Sequence, residues 1–138
     1  MTTIFADVKT GVMVCDSKCT TGTSWYPITK VFRMDGELIG LAGSVKECQT
    51  YRKWYENGKK GPRPKLENFA ALTLSKEGLF DHGTDGLILL VERGFHGIGS
   101  GGDMATAAFM AGADPVNSVR IACEIDAQSG GEIHTHKL

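Results

Sequence analysis

Thr2 is the first residue whose chemistry stands out. It follows Met1, and an initiator methionine ahead of a small side chain is readily removed. A freed Thr2 would carry an α-amine and a β-hydroxyl on one residue. That pair is a self-contained catalyst, because the amine can take the hydroxyl proton as the oxygen attacks a carbonyl. An α-amine has a pKa near ~8, so a useful fraction is neutral at cellular pH. The dipeptide alone is common, so its weight depends on what lies downstream. Thr29-Lys30-Val31-Phe32 sets a lysine inside an otherwise apolar strand. A buried ammonium costs several kcal/mol unless partners compensate. Lys30 therefore either snorkels to solvent at a strand edge or acts, beside an Asp, to ease deprotonation of a hydroxyl.

Two glycine-rich segments extend the set. Gly40-Leu41-Ala42-Gly43 ends a strand directly before a helix. An N–H there can face a developing oxyanion, and the glycine can equally serve the tight turn; the two roles are compatible. Gly97-Ile98-Gly99-Ser100-Gly101-Gly102 opens a second helix. It lacks the Lys-Ser/Thr ending of a P-loop and the full spacing of a dinucleotide fingerprint. Asp126-Ala127-Gln128-Ser129-Gly130-Gly131 follows near the C-terminus, where Asp and Ser commonly cap local amides.

The elements that must position these residues can be read from periodicity. Strands over residues 2–9 and 12–16 turn at Thr10-Gly11, with Val12 and Val14 alternating about Met13, as in a sheet covered on both faces. Strands at 28–34 and 37–42 join across Asp35-Gly36, a strong two-residue turn. From Ser44 to Asn57 the period is helical, with Val45, Cys48, Tyr51 and Tyr55 on one face and Asn57-Gly58 as the stop. A Gly/Pro/Lys linker leads to strands at roughly 68–75 and 86–92, punctuated by Lys76-Glu77-Gly78 and residues 81–86. A helix over 101–112 and another starting at Asp114-Pro115 precede a last short strand at about 132–137. This order predicts an α+β sandwich with helices outside the sheets.

Composition narrows the function classes. The 138 residues form one domain, residues 1–138, able to bury a real core. A formal net charge of −1 recruits neither nucleic acid nor anionic lipid. No apolar run reaches the ~18–20 residues of a membrane span, and no secretory segment is expected. The four cysteines lack paired CxxC spacing, which argues against a zinc site and for a reducing cytoplasm. His134 and His136 share a strand face, read as solvated rather than metal-binding.

In order and spacing, Thr2, the segment from Gly11 to Thr20, Lys30 in its strand, the Gly97–Gly102 turn and the Asp126–Gly131 segment resemble the proteasome β subunits. They also resemble the bacterial proteasome-like peptidase that works with an unfoldase ATPase. Both are N-terminal nucleophile hydrolases, and the resemblance runs from Thr2 to about His136. It implies a four-layer αββα sandwich and a threonine endopeptidase with Thr2 as nucleophile. It further implies that Asp16 and Lys30 tune the hydroxyl, that Gly43 N–H holds the oxyanion, and that Ser100, Asp126 and Ser129 hold the amine and its proton path. Cys19, Thr20, Ile28, Leu41, Val45 and Gln49 would line the pocket before the scissile bond. Leu41 and Val45 make that pocket mainly apolar, with no charge to select a charged side chain.

Polypeptide substrates, homo-oligomeric stacked rings, no catalytic cofactor and a structural cation on backbone carbonyls near residues 120–126 are the remaining implications. One helix of the usual set is missing, its place taken by the linker at 58–68. In that family the adjoining face docks an outer ring or an ATPase, so its absence argues against an ATPase unfoldase. Two other classes share much of the pattern. One is a non-catalytic ring subunit or assembly module; the other is an N-terminal nucleophile amidohydrolase acting on a small amide.

Overall fold

Strict alternation in the first hairpin divides its side chains between two apolar layers. Strand β1 (Ile4–Asp7) pairs with β2 (Val12–Cys15), and Ile4 lies opposite Cys15. Ile4, Ala6, Met13 and Cys15 enter one buried cluster, while Phe5 and Val14 enter another. Such a sheet needs cover on both faces, and the computed structural model, which describes residues 1–138, supplies it.

The first sheet has four strands in the order β10-β1-β2-β11, with β10 at Phe95–Ile98 and β11 at His134–Lys137. The second has five, in the order β5-β6-β7-β8-β9. These are Val31–Met34, Glu37–Gly43, Phe69–Ser75, Gly78–His82 and Ile88–Leu90. A separate hairpin joins β3 (Lys18–Thr21) to β4 (Ser24–Pro27).

Ile4, Met13, Cys15 and Ile98 of the first sheet pack against Val31, Leu38, Leu72, Leu74 and Leu79 of the second. Outside the second sheet lies α1 (Val45–Glu56), whose Tyr51 and Tyr55 bury on Ile39, Leu41, Phe69 and Ala71. Outside the first lie α2 (Gly102–Met110) and α3 (Pro115–Ile125), which bury Ala105, Val119 and Ala122 on Phe5 and Val14. Helix, sheet, sheet and helix pair thus stack around three apolar layers.

Helix ends follow the expected chemistry. Ser44 caps α1, Asp114 caps α3, and Pro115 sits where its missing N–H costs nothing. Residues 57–68 hold no helix.

Three strands differ from the sequence reading. β4 carries no signal in the sequence, since all four of its residues are exposed and leave no burial pattern to detect. β8 runs on through Asp81-His82, read as the start of a punctuating segment, and its buried residues Leu79 and His82 fall on opposite faces, so no alternation marks it. β10 takes in Gly97, where α2 packs so closely that a Cβ would overlap the Gly102 carbonyl. Val45 also departs from the expected helix face. It is 46% exposed, whereas Tyr51 is fully buried, because 100° steps place Val45 beside the buried stripe rather than within it.

Candidate active site

Thr2 leads directly into β1, the inner strand beside β10, and is itself buried. Its placement depends on a close backbone approach. Gly99, between β10 and α2, has φ +88°, and a Cβ there would overlap the Thr2 carbonyl oxygen. Only glycine permits both the conformation and the contact.

The Thr2 nitrogen lies in a hydrogen-bonded relay. Its N–H donates to Ser100 Oγ at 3.2 Å, and Ser100 Oγ donates to Asp126 Oδ2 at 2.6 Å. Ser129 Oγ donates to the same carboxylate oxygen at 2.7 Å and lies 2.7 Å from Thr3 Oγ1. Since the Ser129 proton is committed to Asp126, Thr3 must donate to Ser129. Burial alone would raise the Asp126 pKa. Hydrogen bonds from Ser100, Ser129 and the Gln128 N–H outweigh it, so the carboxyl sits below its usual range. The relay therefore ends on a fixed anion.

The hydroxyl side is built around an ion pair. Lys30 Nζ donates to Asp16 Oδ1 at 2.9 Å, to Lys18 O at 2.7 Å and to Met1 O at 2.8 Å. Asp16 is fully buried and also accepts from the Thr3, Lys18 and Gly130 amides. All three ammonium protons thus have acceptors, which removes the snorkelling alternative for Lys30. Thr2 Oγ1 donates to the same Met1 carbonyl, at 2.6 Å. One carbonyl oxygen therefore draws together the lysine cation and the threonine hydroxyl. The Met1 amine, held 2.6 Å from Gln128 O, has a pKa lowered by burial, with Asp126 opposing and Lys30 reinforcing.

The Gly43 amide completes the geometry. Ser44 N–H donates to Asn68 O one position beyond the last β6–β7 register pair, Gly43 with Phe69, which makes that last pair a non-hydrogen-bonded one. Antiparallel alternation then turns the Gly43 N–H away from β7. On that other side β5 has already ended, its first residue Val31 lying opposite Gly40. The Gly43 amide is left without a strand partner, at a cavity of about 160 Å³ that Thr2 and Lys30 also line.

Ile28, Leu41, Val45 and Gln49 line this cavity as expected residues, while Cys19 and Thr20 do not. Those two lie on the β3–β4 hairpin, Cys19 buried and Thr20 exposed. Thr29, Phe32, Cys48 and Arg52 are additions. The pocket is thus not free of charge, because the Arg52 guanidinium lies 3.6 Å over the Phe32 ring and pairs with Glu56 at 2.6 Å. Helical spacing would have found Cys48 and Arg52, since 45, 48, 49 and 52 follow the i, i+3, i+4, i+7 rule. Burial pushes the Cys48 thiol up to about 11, so it is no rival nucleophile at neutral pH. Thr3 gave no signal, because its part in the relay depends on contact with a residue 126 positions away.

No family model matches the chain, and no curated protein matches it by sequence. Solved structures do. HslV from Trypanosoma brucei superposes with a TM-score of 0.79 at 25% identity, covering 97% of each chain. BPH from Thiobacillus denitrificans, in complex with epoxomicin, superposes with a TM-score of 0.79 at 15% identity, covering 99% of this chain and 97% of its own. The chain has a proteasome-like N-terminal nucleophile peptidase fold. Within that fold Thr2 opens an inner strand of one sheet, and Lys30 and Gly43 approach it from the other.

Proposed function

We propose that the chain is a threonine endopeptidase of a self-compartmentalising, proteasome-like ring, active once Met1 has been removed from Thr2. One observation carries the reading: Lys30 Nζ and Thr2 Oγ1 converge on a single carbonyl oxygen, and both residues line one cavity with the unpartnered Gly43 amide. Loss of Met1 would convert the Thr2 amide into an α-amine already held at Ser100. It would also release both donors from the Met1 carbonyl.

In this mechanism Thr2 Oγ attacks the peptide carbonyl carbon and its proton passes to the α-amine. The resulting oxyanion takes the Gly43 N–H, while the Lys30 cation, fixed by Asp16, stabilises developing charge on the attacking oxygen. Collapse breaks the C–N bond, and the leaving amine takes the proton from the Thr2 ammonium. The ester on Thr2 Oγ is then cleaved by water, with the α-amine as base. Ser100, Asp126 and Ser129 hold the amine in place throughout. No step requires a cofactor.

Exposed apolar surface supports assembly. Leu87, Ile88, Leu89 and Leu90 are each more than half exposed, a run that a lone subunit rarely leaves uncovered. Stacked homo-oligomeric rings in the cytoplasm, enclosing the sites against random proteolysis, follow from this reading.

The test is the intact mass of the purified protein before and after treatment with a peptide epoxyketone, a warhead that needs both the hydroxyl and the free α-amine. A chain lacking Met1 should gain one inhibitor mass, and Thr2→Ala should gain none. A Met-less chain that stays unmodified would refute the peptidase and point to a non-catalytic ring subunit.

A further inference from the structure

Ser44-Val45-Lys46-Glu47 has the spacing of a capping box, in which the Glu at the third helical position returns to the cap residue's own N–H. Here the box is opened. Ser44 Oγ still accepts from Glu47 N–H, at 3.3 Å. The Ser44 N–H instead donates to Asn68 O, at 3.0 Å. Glu47 reaches across to the segment preceding β7, where Oε1 accepts from Glu67 N–H at 2.7 Å and Oε2 from Asn68 N–H at 2.9 Å. Ser44 Oγ donates to the same Oε2 at 3.1 Å.

Both backbone polar groups of Asn68 are therefore tied to the start of α1. The Asn68 carbonyl in turn abuts Gly43, where a Cβ would overlap it and where φ is +125°. The orientation of the Gly43 peptide is thus set from behind by Asn68, and Asn68 is set by Glu47. Residues 57–68 hold no helix of their own to anchor this segment. Gly43, Glu67 and Asn68 also line a second cavity of about 300 Å³, together with Ser100 and Met1. Gly43 is common to this cavity and to the one that Thr2 and Lys30 line.

We propose that Glu47 is a positioning residue: through Glu67 and Asn68 it holds the Gly43 amide where the oxyanion forms. The inference rests on the peptidase reading above. A carboxylate is required because two amides and a hydroxyl must be accepted at once, more than the single acceptor oxygen of glutamine can satisfy.

The experiment compares wild type, Glu47→Gln and Glu47→Ala as Met-less proteins. It measures kcat and KM on one fluorogenic peptide, epoxyketone adduct formation, and amide hydrogen exchange at residues 67–69. Removing an oxyanion donor outright costs 10²–10³ in kcat, so displacing one should lower kcat about tenfold in Glu47→Gln and more in Glu47→Ala. KM should stay within about twofold, because ground-state binding does not use the donor. Exchange at 67–69 should accelerate in both variants.

Unchanged kcat in Glu47→Gln despite faster exchange would overturn the proposal. So would kcat and KM worsening together, as expected of a merely loosened pocket. Should Glu47→Ala fail to fold, the near-isosteric Gln variant decides. A wild type that forms no adduct overturns the peptidase reading itself, whereas an active wild type with indifferent variants overturns only the clamp.

Discussion

Lys30 and Asp16 form one ion pair, but its two halves are unequal, and their removal should have different consequences. Asp16 is fully buried and accepts four hydrogen bonds, three of them from the Thr3, Lys18 and Gly130 amides. Lys30→Met keeps the stem and its packing. It leaves a carboxylate that still has those three donors, so the cost should fall near the lower end for a broken buried pair, about 3 kcal/mol. Asp16→Ala leaves three amides short of an acceptor at roughly 1–3 kcal/mol each. It also strands an ammonium among carbonyls.

The Asp16→Ala loss should therefore exceed about 5 kcal/mol, the lower bound of a typical domain's whole stability. Adding Lys30→Met to Asp16→Ala removes the stranded cation, so the double variant should be less damaged than the sum by more than about 1 kcal/mol. Equilibrium urea unfolding gives these differences, and epoxyketone labelling should be lost in every variant. Equal costs for the two single variants, or strict additivity in the double, would refute the reasoning. A Lys30→Met protein that still labels at the wild-type rate would refute the catalytic role of the cation.

Two further outcomes are expected. His82 bridges Tyr51 OH at 2.8 Å and Thr73 Oγ1 at 2.9 Å. Burial, aided by Arg63 and Lys59, lowers its pKa from 6.5 to about 4. The unfolded chain then binds the extra proton between those values. Stability is complete above pH 6.5 and falls as pH drops toward 4, by up to about 3 kcal/mol. His82→Gln should lose that part of the pH dependence, and parallel urea midpoints for the two proteins between pH 7 and 4.5 would contradict it. Arg52, half-exposed and paired with Glu56, should disfavour cationic side chains in the cavity beside Thr2. Arg52→Met should raise kcat/KM for a lysyl reporter relative to a leucyl one by roughly two- to fivefold, the scale of an exposed charge pair; an unchanged ratio would remove Arg52 from specificity.

Local chemistry was legible in the residues themselves. Asp35-Gly36 marked a hairpin, Ser44 and Asn57 bounded α1, and Asp114-Pro115 opened α3, because turns and caps are made by neighbours in the chain. Thr2, Lys30 and Gly43 were legible as chemical types for a similar reason: an amine and hydroxyl on one residue, a cation in an apolar run, a glycine at a strand-to-helix turn. Exposed β4 and the polar-interrupted β8 were not legible, since their strand geometry comes from partners rather than from their own alternation. Nor could spacing say that Thr2 meets Ser100 across 98 positions or that Thr3 meets Ser129 across 126. The charge at the cavity was settled in the same way, when α1 carried Arg52 over Phe32 of the neighbouring sheet. Sequence alone determined which reactive groups and local turns this chain possesses. Tertiary structure decided which groups share an oxygen, because two sheets close over one apolar layer, and which amide is left unpaired, because β5 ends before reaching it.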